Sequence, residues 1–309
     1  MSILIDEATS VLVQGITGYQ GQFHAKQMLA YGTQILAGVT PGKGGQRVEG
    51  IPVFDTVRAA MEAYPIDVSV LFTPAAFTMD AAIEALEAGV KTLVIITEHV
   101  PLHDAMELMA YAKRVGATIV GPNTFGLVSP GKCKIGIAPN AIFSPGEVGV
   151  VARSGTLSYE IVGSLTNNGI GQSTVVGIGG DRVIGQSFVD VLRRFEKDPA
   201  TSAVVLVGEI GGSDEEDAAL YIREMTKPVV AYIAGKSAPP GKRMGHAGAI
   251  IEKGKGTYSN KTAALREAGV KVVTLPFEVA TTVKAELSML HLDPFYGLTW
   301  SMKQVDSIE

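Results

Sequence analysis

Residues Ser10–Gly21 read SVLVQGITGYQG, and this stretch decides the class of fold. The residues Ser10–Val13 predict a short strand, and the residues after Gly18 predict the start of a helix. Glycines between a strand and a helix permit a tight turn and let backbone N–H groups approach a phosphate at the positive end of the helix. The stretch therefore predicts a phosphate-binding strand–loop–helix unit, although its glycine spacing is wider than that of the usual dinucleotide fingerprint.

The same alternation of strands and helices continues on both sides of one irregular stretch. Residues 1–128 predict a Rossmann-like α/β domain with a doubly wound parallel sheet. The interval 129–146 is rich in proline and glycine and is interpreted as a linker. The pattern then restarts, so residues 147–290 predict a second α/β domain of flavodoxin-like order. Residues 291–309, which contain the only tryptophan, are expected to form a tail that packs on a surface or a partner.

Composition and charge argue against several classes of protein. The chain has 309 residues, 46% of them hydrophobic, which is enough for two domains with cores of their own. Its net charge is −5 and it has no long Lys/Arg run, so a nucleic-acid partner is not expected. Its apolar runs are far shorter than the roughly 20 residues of a membrane span. The single cysteine, Cys133, and the acidic N-terminus indicate the cytoplasm, with the mitochondrial matrix after processing as the alternative.

The end of the second predicted strand distinguishes between possible nucleotide ligands. In NAD-binding folds this strand ends in an acidic residue that accepts the ribose hydroxyls. Here strand Gln34–Val39 is followed by Thr40-Pro41-Gly42-Lys43. A lysine at this place suits a ligand with an additional phosphate near its adenosine, such as coenzyme A or NADP. The alternative is that Lys43 is an ordinary solvated lysine in a turn.

A histidine in the second domain is a candidate phosphate carrier. Residues 234–259 are rich in Gly, Pro and Lys without a clear period, which is typical of a functional loop, and His246 lies in the middle of it. A lone histidine is more often structural, but an imidazole can accept a phosphoryl group if a carboxylate orients its other nitrogen. Glu209 follows the predicted strand Ala203–Val207 at the edge where ligands bind, so it is the candidate partner.

A second strand–loop–helix unit can hold the phosphate. The predicted strand Val148–Ala152 leads through Arg153 to Ser154, Gly155 and Thr156 at the start of a helix. Their N–H and hydroxyl groups suit an anion at a helix N-terminus. The alternative is an ordinary Ser/Thr N-cap with a turn glycine.

A set of ordered motifs extends these patterns over almost the whole chain, to about residue 288. They are VQGITG at 13–18, GVTPGKGG at 38–45, IITE at 95–98, GPN at 121–123, SGT at 154–156, GIGGD at 177–181, GEIGG at 208–212 and GKRMGHAGA at 241–249. In these motifs the chain resembles the α subunit of succinyl-CoA synthetase, or of a close acyl-CoA synthetase relative such as malate–CoA ligase. The resemblance implies a CoA-binding first domain and a CoA-ligase second domain.

The resemblance also implies roles for individual residues. It implies that CoA is bound by Thr17, Gly18, Tyr19, Gln20, Lys43, Ile96, Thr97 and Glu98. It implies a phosphohistidine at His246 with Glu209 as its partner, and a helix end at Ser154, Gly155 and Thr156 that faces the phosphate. Tyr159 is implied in the organic-acid site that is shared with a partner subunit.

The implied activity is an NDP-forming succinate–CoA ligase that interconverts succinate, CoA and NTP with succinyl-CoA, NDP and phosphate. The sequence has no Gly-x-x-x-x-Gly-Lys-Ser/Thr loop for the nucleotide. ATP or GTP and Mg²⁺ are therefore expected on a separate subunit, with no metal site on this chain, and the resemblance implies that this is a β subunit of the ATP-grasp type in an αβ or α2β2 assembly.

One departure from the family pattern keeps the substrate open. The family usually reads Gly-Pro-Asn-Cys-Pro-Gly where this chain has Thr124 and Phe125 after Asn123. Malate or citrate are therefore alternatives to succinate. Two other classes of protein also stay possible at this point, an NAD(P)-dependent oxidoreductase and a non-catalytic CoA-binding protein. An oxidoreductase would explain the first glycine loop, but it would leave the motifs of the second domain without a role.

Overall fold

A computed structural model of the chain describes residues 2–239, 241–252 and 254–292. Apart from its first two residues, the predicted tail 291–309 lies outside the described residues. The described residues divide into two compact units, the first formed by residues 4–140 and 177–186 and the second by the remainder. No described helix is long and apolar enough to cross a membrane.

The first unit is a Rossmann-like sheet with helices. Its strands are β1 (Ser10–Gln14), β2 (Gln34–Val39), β3 (Arg47–Val48), β4 (Ile51–Phe54), β5 (Val68–Leu71), β6 (Thr92–Ile95), β7 (Thr118–Val120), β8 (Gly126–Ser129) and β9 (Cys133–Gly136). Its helices are α1 (Tyr19–Tyr31), α2 (Val57–Ala63), α3 (Ala75–Ala88) and α4 (Leu102–Val115). The Rossmann-like sheet has the order β3-β4-β2-β1-β5-β6-β7, and β8 and β9 lie outside it as an antiparallel pair. All its pairs are parallel except β3 with β4. Without β3, the strands counted along the chain lie in the order 3-2-1-4-5-6 of dinucleotide-binding folds.

The second unit is a flavodoxin-like sheet. Its strands are β10 (Pro145–Ala152), β11 (Gln172–Gly177), β12 (Ala203–Glu209), β13 (Val229–Ala234) and β14 (Lys271–Val273). Its helices are α5 (Gly155–Asn167), α6 (Phe188–Lys197), α7 (Asp214–Ile222), α8 (Tyr258–Glu267) and α9 (Glu278–Leu292). The strand order β11-β10-β12-β13-β14 is 2-1-3-4-5 when counted along the chain. The predicted α/β class and the order of both domains are confirmed.

Fully buried strands explain why the pattern could be read from the sequence. Every residue of β1, β10 from Val148 onward, β11 and β12 is buried, which is why β1, β10 and β12 contain apolar runs without polar alternation; β11 is buried as well but begins with three polar residues. Helices α1, α3 and α4 each end at a glycine in the left-handed conformation, at Gly32, Gly89 and Gly116.

Several elements were not expected from the sequence. Strands β3 and β4 and helix α9, which lies almost wholly in the second predicted domain, were not predicted. The predicted linker 129–146 carries β9 and the start of β10, and the two units divide inside it, between Asn140 and Ala141. Residues 177–186 return to the first unit, where the Gly185 N–H donates to the Gly121 carbonyl at 2.9 Å. The domain ends at 128 and 147 stay predictions.

Two glycines that lie within helices differ sharply in how closely other atoms pack around them. A Cβ added at Gly21 in α1 would lie 2.2 Å from the carbonyl oxygen of Gly15, so the first turn of α1 can pack on the glycine loop only without a side chain. A Cβ added at Gly163 in α5 meets nothing within 4 Å. The first glycine is therefore required by close packing, and the second is not.

We predict opposite effects of Gly21→Ala and Gly163→Ala on stability. Forcing a methyl group into backbone at Gly21 should lower the free energy of unfolding by about 1–3 kcal/mol. Alanine at Gly163 should raise it by about 0.5–1 kcal/mol, because alanine has the better helix propensity and open space around it. Urea unfolding of both variants measures the difference, and equal effects would contradict the packing argument.

Candidate functional site

The first unit has a cavity where ligands bind in folds of this order. Strands β1 and β5 are parallel neighbours whose connections leave in opposite directions along the sheet, and their carboxyl ends form the crevice of the fold. The cavity there has a volume of about 540 Å³. It is lined by Gln14, Gly15, Val39, Thr40, Pro41, Thr73, Pro74, Phe77, Asp80, Ala81 and Glu84.

The glycine loop presents a helix N-terminus beside this cavity. Helix α1 begins at Tyr19, and the residue before it, Gly18, provides no side-chain cap. The N–H groups of the first helical turn are therefore not capped by a side chain at the positive end of the helix dipole. Thr17 lies in the loop, and its N–H is 3.4 Å from the hydroxyl of Thr40 at the end of β2. This end of α1 suits an anion such as a phosphate.

The remaining residues of the expected CoA site lie at the same edge of the sheet. Lys43 is exposed in the turn after β2, and its backbone N–H donates to the carbonyl of Thr40 at 3.1 Å. The Thr97 hydroxyl donates to the carbonyl of Thr73 at 2.7 Å, which ties the end of β6 to the cavity lining. Glu98 is exposed beside His99.

The sequence analysis missed several cavity-lining residues, among them Thr73, Pro74 and Phe77. Phe77 is 62% exposed, although it is a large apolar side chain. These residues follow β5, and the strand order shows that β5 flanks the crevice. A sequence reading that had assigned this order could have looked for ligand contacts directly after β5.

In the second unit, the structure brings His246 and Glu209 together. The Nδ1 atom of His246 lies 2.8 Å from Oε2 and 3.0 Å from Oε1 of Glu209. Glu209 is the last residue of β12, whereas the sequence analysis ended this strand at Val207 and placed Glu209 after it. Its carboxylate is nearly buried, whereas 26% of the His246 side chain is exposed. The arrangement fixes one ring nitrogen on a carboxylate while the ring stays accessible.

Closely packed backbone holds the histidine loop at the end of β12. A Cβ added at Gly211 would lie 2.1 Å from the carbonyl oxygen of Gly248 and 2.7 Å from the N atom of Ile250. Within the loop, the N–H of Met244 donates to the carbonyl of Ala249 at 2.9 Å. Because Gly211 is two residues from Glu209, this contact fixes the loop relative to the carboxylate.

The predicted phosphate loop lies at the same edge of this sheet. Strands β10 and β12 are parallel neighbours at the point where the strand order reverses, so the residues after each strand share one edge. Ser154 is at the N-cap position of α5, but its side chain makes no capping hydrogen bond. Its carbonyl instead accepts from the N–H of Ser158 at 3.2 Å and also from the Ser158 hydroxyl. Thr156 is exposed, and the first turn contains no acidic residue, which favours an anion there.

Tyr159 follows in the next turn of α5. Its side chain is partly buried, and burial raises the pKa of the phenol to about 12. The hydroxyl therefore stays protonated at neutral pH and can donate a hydrogen bond.

The two positions that depart from the family pattern are buried. Thr124 and Phe125 are 3% and 4% exposed. The Thr124 hydroxyl donates to the carbonyl of Gly177 at 2.6 Å and accepts from the N–H of Gly126 at 2.9 Å. A Cβ at Gly177 would collide with both side chains. These residues therefore pack the turn within the first unit, and they can affect a substrate only indirectly.

Within the described ranges, no group of three or more His, Cys, Asp or Glu side chains is arranged to hold a metal ion.

Comparison with known proteins agrees with this two-part geometry. Residues 6–99 match the family model of the CoA binding domain, and residues 151–271 match that of CoA-ligase. The succinate–CoA ligase [ADP-forming] subunit alpha 2 of Archaeoglobus fulgidus is 60% identical over 283 residues, which cover 92% of this chain and 99% of that protein. The alpha subunit of Methanothermobacter thermautotrophicus is 56% identical over 93% of this chain and 98% of its own. That of Aquifex aeolicus is 53% identical over 95% and 97%.

Solved structures show the same fold in longer chains. ATP citrate lyase from Methanothrix soehngenii, in complex with citrate and coenzyme A, superposes with a TM-score of 0.86 at 29% identity. The match covers 94% of this chain but only 51% of that one, so this chain spans about half its length. A dinucleotide-forming acetyl-coenzyme A synthetase from Ca. Korarchaeum cryptofilum has a TM-score of 0.72 at 21% identity, covers 91% of this chain and 61% of its own, and shows the fold alone.

The alpha-subunit relatives, which are 53–60% identical, favour succinate over malate or citrate. The match to a CoA-ligase model does not favour an oxidoreductase or a binding-only protein. The expected resemblance is confirmed over more than nine-tenths of the chain. The chain belongs to the family of alpha subunits of ADP-forming succinate–CoA ligases, which are acid–thiol ligases.

Proposed function

We propose that this chain is the α subunit of an NDP-forming succinate–CoA ligase and that it carries phosphate on His246. The observation that supports this most directly is the contact between Nδ1 of His246 and the Glu209 carboxylate, at 2.8 and 3.0 Å. A carboxylate on Nδ1 holds the proton on that nitrogen and leaves the lone pair on Nε2. The exposed ring then presents Nε2 as the nucleophile.

The phosphoryl group moves by two displacements at phosphorus. Nε2 of His246 attacks the γ-phosphorus of the nucleoside triphosphate, the bond to the bridging oxygen breaks, and the diphosphate leaves. The ring becomes positively charged, and Glu209 stabilises that charge through the Nδ1 proton. The succinate carboxylate then attacks the same phosphorus, the N–P bond breaks, and its electron pair returns to Nε2. The CoA thiol, losing its proton, attacks the acyl phosphate at carbon and releases inorganic phosphate.

The N-terminus of α5 is the proposed cradle for the phosphoryl group. Ser154, Gly155 and Thr156 follow β10 at the edge where Glu209 ends β12. Uncapped N–H groups at a helix end stabilise a dianion without becoming charged themselves. Tyr159 is proposed to contact the organic acid through its protonated hydroxyl.

CoA is proposed to bind at the crevice of the first unit. The N-terminus of α1, with Thr17, Gly18, Tyr19 and Gln20, would hold phosphate, and Lys43 would hold the additional phosphate near the adenosine. Ile96, Thr97 and Glu98 would line the site beside the cavity. The cavity volume of about 540 Å³ and its apolar lining by Val39, Pro41 and Phe77 suit part of a long, partly apolar ligand.

The nucleotide is proposed to lie on a partner. The naming of the relatives as alpha subunits implies a β subunit. We propose that it is of the ATP-grasp type, that it binds Mg²⁺ with ATP or GTP, and that the assembly is αβ or α2β2, in the cytoplasm. Mg²⁺ would neutralise the charge of the nucleotide phosphates.

We predict that His246→Asn abolishes phosphorylation. With the β subunit and Mg²⁺-ATP, the wild-type chain should gain one acid-labile, alkali-stable phosphate, measured by intact mass. Asparagine retains a hydrogen-bonding group but removes the nucleophilic nitrogen, so neither label nor turnover should remain while CoA binding is unchanged. Glu209→Gln should slow labelling by a factor on the order of 10², because the charged ring loses its carboxylate. Wild-type labelling of His246→Asn would show that the mechanism is wrong.

We predict that Lys43→Glu raises the KM for CoA about 10-fold or more while the KM for succinate changes little. The substitution removes one charge-assisted contact, worth ~1.5–3 kcal/mol, and adds a like charge near the phosphate. Lys91→Glu is the matched control, since Lys91 is also exposed but precedes β6 at the opposite edge of the sheet. Equal wild-type affinity for CoA and for CoA without its 3′-phosphate would argue against this role.

We predict that Gly211→Ala slows phosphorylation at least 10-fold and that Gly212→Ala does so much less. Both glycines have positive φ, at 96° and 59°, so both substitutions strain the backbone. Only the Cβ at position 211 collides with the histidine loop, whereas that at 212 meets nothing within 4 Å. The initial rate of phosphate incorporation checks this, and equal rates in the two variants would count against backbone packing as the anchor of the loop.

A further inference from the structure

A fully buried ion pair lies next to the end of β12, the strand that carries Glu209. Glu215, in the first turn of α7, and Lys261, in α8, are both 0% exposed. The Lys261 ammonium donates a hydrogen bond to the Glu215 carboxylate and forms an ion pair with it. Lys261 also donates to Glu216 at 2.9 Å and to the carbonyl of Gly212 at 3.2 Å. The lysine therefore ties the turn after β12 to the start of α7.

The other oxygen of this carboxylate contacts the functional strand end. Oε1 of Glu215 accepts a hydrogen bond from the backbone N–H of Glu209 at 3.1 Å. A Cβ added at Gly208 would lie 2.7 Å from the same oxygen, so a glycine at 208 is what allows the carboxylate to reach the strand. The backbone of the residue that holds His246 is thus itself held by Glu215.

Arg153 brings the phosphate loop into the same network. It immediately precedes Ser154, yet its side chain is only 7% exposed and is directed to carboxylates rather than to solvent. Its Nε lies 3.7 Å from Oε1 of Glu215, and its guanidinium is paired with Asp214. The guanidinium also lies over the ring of Phe188, at 5.7 Å from the centroid. One carboxylate oxygen therefore faces both the Glu209 N–H and the residue before the phosphate loop.

Stability alone is a poor explanation for such a network. Burying a lysine and a glutamate costs desolvation that their attraction often only balances, and an apolar pair of similar volume is often as stable or more so. A buried charged network instead fixes one geometry of the groups it contacts. The groups fixed here are the two strand ends that carry the proposed phosphate chemistry.

We propose that Glu215, held by Lys261, is a positioning residue for phosphoryl transfer. Its carboxylate fixes the backbone of Glu209 by a hydrogen bond, and the same oxygen faces the Arg153 guanidinium at ion-pair distance. The Glu209 carboxylate then stays on Nδ1 of His246, and the Ser154 loop stays beside it. This inference rests on the phosphohistidine function proposed above, and it adds residues that act through Glu209 and touch no substrate.

Two double variants of equal charge and similar volume test the proposal. Glu215→Gln with Lys261→Met keeps an oxygen that can accept from the Glu209 N–H, whereas Glu215→Met with Lys261→Met removes it. With the β subunit, Mg²⁺-ATP, succinate and CoA, we expect the kcat of the complete reaction to be at least 10-fold lower in the Met/Met variant than in the Gln/Met variant. The KM values for CoA and ATP should be the same in both. Lys227→Met, which removes a lysine that donates to the carbonyls of Phe195 and Asp198 at the end of α6, should keep the wild-type kcat.

Equal kcat values in the two folded double variants would overturn the inference, because a merely structural pair would lower both alike. If the Met/Met variant does not fold, Gly208→Ala decides, since its Cβ collides with the Glu215 carboxylate, and otherwise only with the end of the Ile233 side chain, without changing any charge. A kcat at least 10-fold below wild type with unchanged KM for CoA supports positioning, and a wild-type kcat overturns it. Failure of the proposed function gives a different result from failure of this inference. If the proposed function is wrong, the His246→Asn variant still takes up phosphate.

Discussion

The hydrogen bond between the Glu209 carboxylate and Nδ1 of His246 is the interaction on which the proposed chemistry of this chain depends. A neutral imidazole has two tautomers, and only the one with its proton on Nδ1 leaves Nε2 as a nucleophile. The carboxylate selects that tautomer and then stabilises the charge that develops on the ring. The 2.8 Å contact combines a nearly buried acceptor with an accessible ring, and this combination suits the proposed phosphoryl transfer.

Much of the surrounding architecture serves to hold that contact. Glu209 ends a fully buried strand at the point where the strand order of the second sheet reverses. Gly211 lets the histidine loop approach backbone to backbone, and Gly208 lets the Glu215 carboxylate reach the strand from the other side. The first unit uses the same device, since Gly21 lets α1 pack on the glycine loop. In both units, the absence of a side chain at these glycines allows close backbone packing beside a proposed anion site.

The sequence was sufficient for the α/β class, the order of both domains and most strands and helices, because buried parallel strands appear as apolar runs between glycine-rich turns. The sequence also proposed Glu209, at the carboxyl edge of the sheet, as the partner of His246, and the structure contains this contact, while the catalytic roles of the two residues stay predictions. It could not show that Thr124 and Phe125 are packing residues, because their neighbour Gly177 is more than 50 residues away along the chain. Nor could it show the Glu215–Lys261 pair, whose members look like ordinary charged helix residues until three elements are packed together. The individual ligand-binding roles stay predictions, since residue type does not reveal which atoms a ligand touches.

The position of the phosphate on the imidazole tests the central claim most directly. The chain has five histidines, each with two ring nitrogens. Heteronuclear NMR of ¹⁵N-histidine-labelled chain, phosphorylated by its β subunit and Mg²⁺-ATP, identifies the nitrogen through its one-bond coupling to ³¹P. The account predicts coupling to Nε2 of His246, while Nδ1 keeps its proton and donates it in a hydrogen bond to the Glu209 carboxylate. Phosphorus on Nδ1, or on any other histidine, would contradict it.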